Sequence, residues 1–192
     1  QFTESIGYHS LKNDSKKLTG YVGLKNQGAT CYMNSMLQAL YHLPAFRRIV
    51  YKMDTRNVED ENKSIPLNLQ RLFCQMQFQD HACSTKSLTK SFGWSDYESI
   101  MQHDIQEFCR LLVDNLEMKM KGTELEKSIP ALFKGQTRQY IRCINVEYES
   151  SKIEDFYDLS MQVKGCKNLQ ESFEKYVEKD RMDGNNQYST DD

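Results

Sequence analysis

The chain has 192 residues, with 25 basic and 27 acidic side chains interspersed along it. This balance excludes the concentrated basic face that nucleic-acid binding needs, so no nucleic-acid partner is expected. At 39% hydrophobic residues a core can form, while no apolar run reaches the ~20 residues that span a bilayer.

The N-terminal stretch QFTESIGYHSLKNDSKK is polar and lacks the apolar region of a secretory signal. No membrane contact and a location inside the cell are therefore expected. Residues 1–20 read as an arm or linker. The stretch NQGATCYMNS follows, and from Cys31 the apolar residues Met33, Leu37, Leu40 and Tyr41 take the spacing of one helix face. Pro44 stops that helix, and AFRRIVY reads as a short continuation. Residues 54–64 form a charged loop. Pro66 then fits the first turn of a helix whose buried face is Leu69, Leu72, Phe73 and Met76.

In SLTKSFGW, Gly93 permits a turn before Trp94. The sequence Asp104-Ile-Gln-Glu107 has the pattern of a capping box, an acceptor at the N-cap and a glutamate three residues later. Ile105, Phe108, Leu112 and Leu116 are expected on the buried face of the helix it opens, with Gly122 as terminator. Next, GQTRQYIRCINVEYES and KIEDFYDLSMQV read as two strands of an antiparallel hairpin, separated by a polar turn. Leu169, Phe173, Tyr176 and Val177 return to helical spacing. Helices first and strands later give an α+β class. A lone hairpin is marginal in water, so the β half is expected to need strands that this chain does not supply.

The six cysteines, at 31, 74, 83, 109, 143 and 166, contain no C-x-x-C pair. Disulfides are not expected in a reducing compartment, nor is a structural zinc site from these residues alone. Cys74 and Cys109 sit in apolar helical patterns and read as small core residues.

Cys31 admits more than one reading. A cysteine packed at a helix start is the plainer one, and a nucleophile is the other. A helix N-terminus favours the thiolate through its free N–H groups. Gly28 lets the preceding loop turn tightly and aim backbone N–H groups at an oxyanion, and the Asn26 amide offers a further donor.

The segment GLKNQGATCYMNSMLQAL resembles the cysteine box of the ubiquitin-specific proteases. Downstream, Gln102-His-Asp-Ile-Gln-Glu-Phe108 is similar to that family's Q-Q-D-x-Q-E-F box, with His103 in place of the second glutamine. KSIPLNLQRLF, LTKSFGW, MKGT and IEDFYDL extend the likeness over nearly all of the chain after residue 16. The resemblance implies an incomplete papain-like cysteine peptidase fold. Residues 21–130 would form the helical thumb and 131–192 part of the β-rich fingers, while the palm with the catalytic histidine lies beyond the chain. It implies ubiquitin and ubiquitinated proteins as partners, no cofactor, and a setting in the nucleus and/or cytoplasm. Cys31 would be the nucleophile on the carbonyl of ubiquitin's C-terminal glycine, and Asn26 would donate to the oxyanion. Asp104 and Glu107 would receive the arginines of ubiquitin's tail, with Gln102 and Gln106 adding polar contacts. Strong, directional carboxylate–guanidinium pairing makes this sensible. A capping box explains Asp104 and Glu107 equally well, and Trp94 reads either as facing the cleft or as a packing anchor.

The chain departs from the family pattern twice. Many members hold zinc in the fingers with two C-x-x-C pairs, but here the first position reads Cys143-Ile-Asn-Val146 and no cysteine follows Cys166. No metal is therefore expected. The four histidines are at 9, 42, 81 and 103, and none matches the family's general base. His42 lies along the nucleophile's own helix, about 16 Å away. Three readings follow: a thiol-dependent deubiquitinase whose present residues are inactive alone, a non-catalytic ubiquitin-binding or scaffolding fragment, and a cysteine transferase using His103 as base.

Overall fold

Short helices, set by proline and polar caps, build the first part of the chain. The computed structural model describes residues 15–95, 97–98 and 101–189, so His9 and most of the polar N-terminal stretch lie outside the described residues. The described residues divide into two compact units, one running through Leu132 and one starting at Phe133.

In the first unit, α1 (Ser15–Thr19) is a single helical turn whose Lys16 ammonium donates to the Gln77 carbonyl at 3.1 Å. The cysteine helix α2 (Cys31–Tyr41) buries Met33, Leu37 and Leu40, as its spacing requires. Pro44 then opens α3 (Pro44–Lys52), which buries Phe46 and Val50. A proline at the first helical position gives up an N–H that would have no intrahelical partner, so the chain breaks and restarts there. Ser64 caps α4 (Ile65–Phe78) by accepting from the Leu67 N–H. Leu69, Leu72, Phe73 and Met76 are buried along this helix as expected. Gln70 fastens α4 to the end of α3. Its amide donates to the carbonyls of Val50 and Met53, both at 2.8 Å, which satisfies acceptors that a helix C-terminus leaves unpaired.

Two further helices complete the packing, α5 (Lys86–Ser91) and α6 (Ile105–Met120), followed by the short α7 (Ser128–Phe133). Phe46, Phe73 and Phe108 are fully buried, with Leu37, Leu69, Leu112 and Leu116 beside them in the core. Phe73 meets Phe46 and Tyr41 edge-on.

Two expectations about buried faces need correction. Ile105 is 42% exposed, because it begins α6 and lies at the margin of the stripe formed by Phe108, Leu112, Val113, Leu116 and Met120. Cys74 is exposed and Cys109 only half-buried. Each directly follows a fully buried phenylalanine, and a helix turns about 100° per residue, carrying the next side chain off the core face.

The second unit holds β1 (Gly135–Arg142) and β2 (Glu149–Phe156), paired antiparallel from Gly135 opposite Phe156 to Arg142 opposite Glu149. The turn therefore falls earlier than the sequence pattern indicates. Cys143, Ile144 and Val146 have strand-like side chains, yet they lie within it, closed by a bond from the Cys143 N–H to the Tyr148 carbonyl. Arg138 and Arg142 both pair with Glu149, and the Phe156 ring covers Gly135. These contacts fix the register at both ends of the ladder. A final helix α8 (Leu169–Tyr176) is capped by Asn168, which accepts from the Glu171 N–H at 2.9 Å. Its spacing is helical as read, although Leu169, Phe173 and Tyr176 are exposed.

Candidate active site

Cys31 is exposed and is the first residue of α2. The segment leading to it is held by a single parallel bridge between Leu24 and Cys83, with the Lys25 N–H donating to the Cys83 carbonyl at 2.8 Å. The loop then turns at Gly28, whose φ of 142° is one that L side chains rarely adopt.

Inside this loop the side chain of Asn26 is an acceptor hub. Its Oδ1 takes the Thr30 hydroxyl at 2.7 Å, the Thr30 N–H at 3.1 Å and the Gly28 N–H at 3.3 Å. The NH₂ end of this exposed side chain takes no part in these bonds. Gln27 ties the loop to the start of α5, donating from Nε2 to the Thr85 hydroxyl at 2.7 Å. The Thr89 hydroxyl, which donates to the Lys86 carbonyl at 3.0 Å, lies 3.4 Å from the Gln27 Oε1. Thr30, Thr85 and Thr89 are all buried. Sequence reasoning missed Gln27, Thr85 and Thr89, since nothing in their local pattern signals a contact between such distant segments.

The acidic box sits at the start of α6. Asp104 caps the helix, its Oδ1 accepting from the N–H groups of Gln106 at 2.7 Å and Glu107 at 3.3 Å. The return bond of a full capping box, from the Asp104 N–H to the Glu107 carboxylate, is not among the hydrogen bonds of the described residues. The Glu107 carboxylate instead lines an open groove of about 460 Å³ with Asp104, Gln106, Arg110, Leu111 and Asp114. Gln102 is exposed just before the helix. Asp114, not singled out by the sequence reading, was discoverable: Glu107, Leu111 and Asp114 share one helix face by spacing.

An aromatic cluster joins the cysteine helix to this box. Tyr32, next to Cys31, packs edge-on against Phe108 and faces His103 at 6.1 Å. Trp94, half-buried, stacks on both Phe92 and His103 with Phe108 at 6.2 Å, the contacts that a packing anchor makes. Burial pushes the Tyr32 phenol up, outweighing the pull of the nearby His103 backbone N–H, with which it makes no hydrogen bond of normal geometry. His103 Nε2 lies 2.9 Å from the Glu98 carbonyl. His42 packs against Tyr21 and Tyr41 at the far end of α2.

A cysteine opening a helix, behind a glycine-containing loop and joined through aromatics to an acidic helix start, defines a recognisable class. Residues 22–181 match the family model described as ubiquitin carboxyl-terminal hydrolase. The chain belongs to that family, and its α+β architecture is that of the papain-like fold. It is 58% identical over 175 residues to ubiquitin C-terminal hydrolase 13 of Arabidopsis thaliana, which covers 91% of this chain and 16% of that protein. Over 180 residues it is 54% identical to ubiquitin carboxyl-terminal hydrolase 7 of Drosophila melanogaster, 94% of this chain and 16% of that relative. Identity to ubiquitin carboxyl-terminal hydrolase 15 of Saccharomyces cerevisiae is 50% over 190 residues, 99% and 15% of the two chains. The chain thus spans about 16% of the length of the curated relatives it matches. Among the described residues, no helix is long and apolar enough to cross a membrane.

Proposed function

We propose that these residues belong to a deubiquitinating cysteine protease, in which the Cys31 thiolate attacks the carbonyl of ubiquitin's C-terminal glycine. The observation that carries this reading is the pairing of an exposed cysteine at a helix N-terminus with an exposed Asn26 whose amide oxygen is engaged by the loop, leaving its NH₂ end out of those bonds. Attack converts the carbonyl to a tetrahedral oxyanion, stabilised by the Asn26 amide and by backbone N–H groups at the start of α2. Collapse breaks the C–N bond, the leaving amine taking a proton from the general acid–base group, and leaves a thioester on Cys31 that water then hydrolyses. Asp104 and Glu107, with Asp114 beside them, receive the basic tail of ubiquitin, and Gln102 and Gln106 add polar contacts.

A Cys–His mechanism needs an imidazole within hydrogen-bond reach of the thiol. His42 and His103 make other contacts, and His81 is exposed in the turn after α4. The base is therefore sought outside the described residues, and little turnover is expected from this chain alone. The proposed setting is the nucleus or cytoplasm, where ubiquitin conjugates are met. The test is hydrolysis of a ubiquitin C-terminal fluorogenic amide by the full-length protein. Cys31→Ser should abolish it, and undiminished hydrolysis would remove the reading. Saturable ubiquitin binding with no hydrolysis by the unmodified protein would favour the alternative, a non-catalytic ubiquitin-binding module using the acidic groove.

A further inference from the structure

We infer that Thr30 is a positioning residue for the oxyanion donor, its hydroxyl fixing which end of the Asn26 carboxamide faces the reacting carbonyl. The inference rests on the reading of Asn26 as that donor. Thr30 occupies the N-cap position of α2, where a threonine ordinarily accepts from an N–H of the first turn, yet its side chain makes no such bond. The hydroxyl is engaged in the loop instead. It has one proton. The Gln27 N–H donates to its oxygen at 3.0 Å, and the proton goes to Asn26 Oδ1 at 2.7 Å.

A carboxamide is nearly symmetric in shape, but its two ends are opposite in hydrogen-bonding character. Two backbone N–H groups, of Gly28 and Thr30, also point at the same end of Asn26. Neither can accept, so that end is the oxygen. Reversing the amide would set an NH₂ group against two backbone N–H donors, forfeiting both bonds, and would take from the Thr30 hydroxyl proton the acceptor it now has. The Thr30 hydroxyl makes the shortest of the three. Its own orientation is held through Gln27, whose side chain donates to the hydroxyl of Thr85 at the N-cap of α5. Thr30 and Thr85 are 0% exposed, so water does not compete for these groups. A chain of hydrogen bonds thus runs from α5 through Gln27 and Thr30 to Asn26 and leaves one outcome, Nδ2 outward.

The experiment is a double-mutant cycle on turnover of the ubiquitin C-terminal amide by the full-length protein. Thr30→Val removes the hydroxyl at constant shape and should lower kcat about three- to tenfold, the worth of one hydrogen bond, with KM unchanged. Thr30→Ser should recover most of the loss. In the Asn26→Ala background, Thr30→Val should cost nothing further. An equal loss in both backgrounds, or a loss carried by KM, would overturn the positioning role while leaving Asn26 as donor. An Asn26→Ala variant with unreduced kcat would instead remove the donor reading itself, and the inference with it. Because Thr30→Val leaves the Gln27 N–H unpaired and can impair folding, a second measurement uses the unmodified protein. Residual dipolar couplings of the Asn26 side-chain amide should report one fixed orientation, and averaging between two would refute the inference.

Discussion

The rings of Trp94 and His103 stack with centroids 4.8 Å apart and planes 14° from parallel. This contact makes His103 part of the wall between the cysteine helix and the acidic box. The His103 ring lies flat against the indole with Nε2 beside the Glu98 carbonyl, so packing and a local contact already account for its position. His103→Phe keeps an aromatic face and removes the imidazole. Loss of a general base costs about 10²–10⁴ in rate. Turnover by the full-length protein should fall far less than that, with its pH profile unchanged. A loss in that range would reinstate His103 as the base.

Asp104 has one observed role, as a helix cap, and one proposed role, in ubiquitin binding. As N-cap of α6 it is worth about 1 kcal/mol, and asparagine caps nearly as well. Asp104→Ala should therefore lower the stability of the fold in chemical denaturation, whereas Asp104→Asn should not. Both should weaken ubiquitin binding if the proposed role holds, since both remove the carboxylate proposed to meet the basic tail. If Asp104→Asn binds ubiquitin as tightly as the unmodified protein, the residue is a cap and nothing more.

As the proposed oxyanion donor, the Asn26 amide would act on a charge that develops only during reaction. Removing one oxyanion donor typically slows turnover by about 10²–10³. Asn26→Ala should show that loss in kcat while ubiquitin affinity, read by calorimetry, stays close to that of the parent. Weakened binding at unchanged kcat would assign Asn26 to recognition instead.

Cys83 gives the fold a pH dependence. It is 2% exposed, and burial raises its thiol against a smaller opposing pull from Lys25. The unfolded chain releases this proton near pH ~8.5 while the folded one retains it. The unfolded state then binds fewer protons, so stability is full below that pH and declines as pH rises through it. Denaturation midpoints between pH 7 and 10 should fall less steeply for Cys83→Ala than for the parent. In the native protein at neutral pH, iodoacetamide should modify Cys31 and Cys74 and spare Cys83. An alkaline slope identical in the variant would exclude Cys83 as its source.

What was legible in the sequence follows from the range of the interactions. Leu69, Leu72, Phe73 and Met76 announced their buried face because helical periodicity is local. Asp104 announced its cap for the same reason. Ile105 and Cys74 did not fit, because a helix end and a residue just past the apolar stripe are decided by what packs opposite. Strand-like residues such as Ile144 and Val146 concealed the hairpin turn, whose position is set by cross-strand partners at Arg142–Glu149 and Gly135–Phe156. The Cys31 site was legible as far as its loop, glycine and amide. The Gln27–Thr85 anchor joins segments far apart in the chain, and no local pattern encodes it.

The central claim is that Cys31 is the nucleophile toward the C-terminus of ubiquitin. Its most direct measurement is the reaction of the full-length protein with ubiquitin carrying a C-terminal electrophile, the adduct mapped by mass spectrometry. The account predicts a single adduct on Cys31, absent from Cys31→Ala. An adduct on another cysteine, or one that persists in Cys31→Ala, would contradict it.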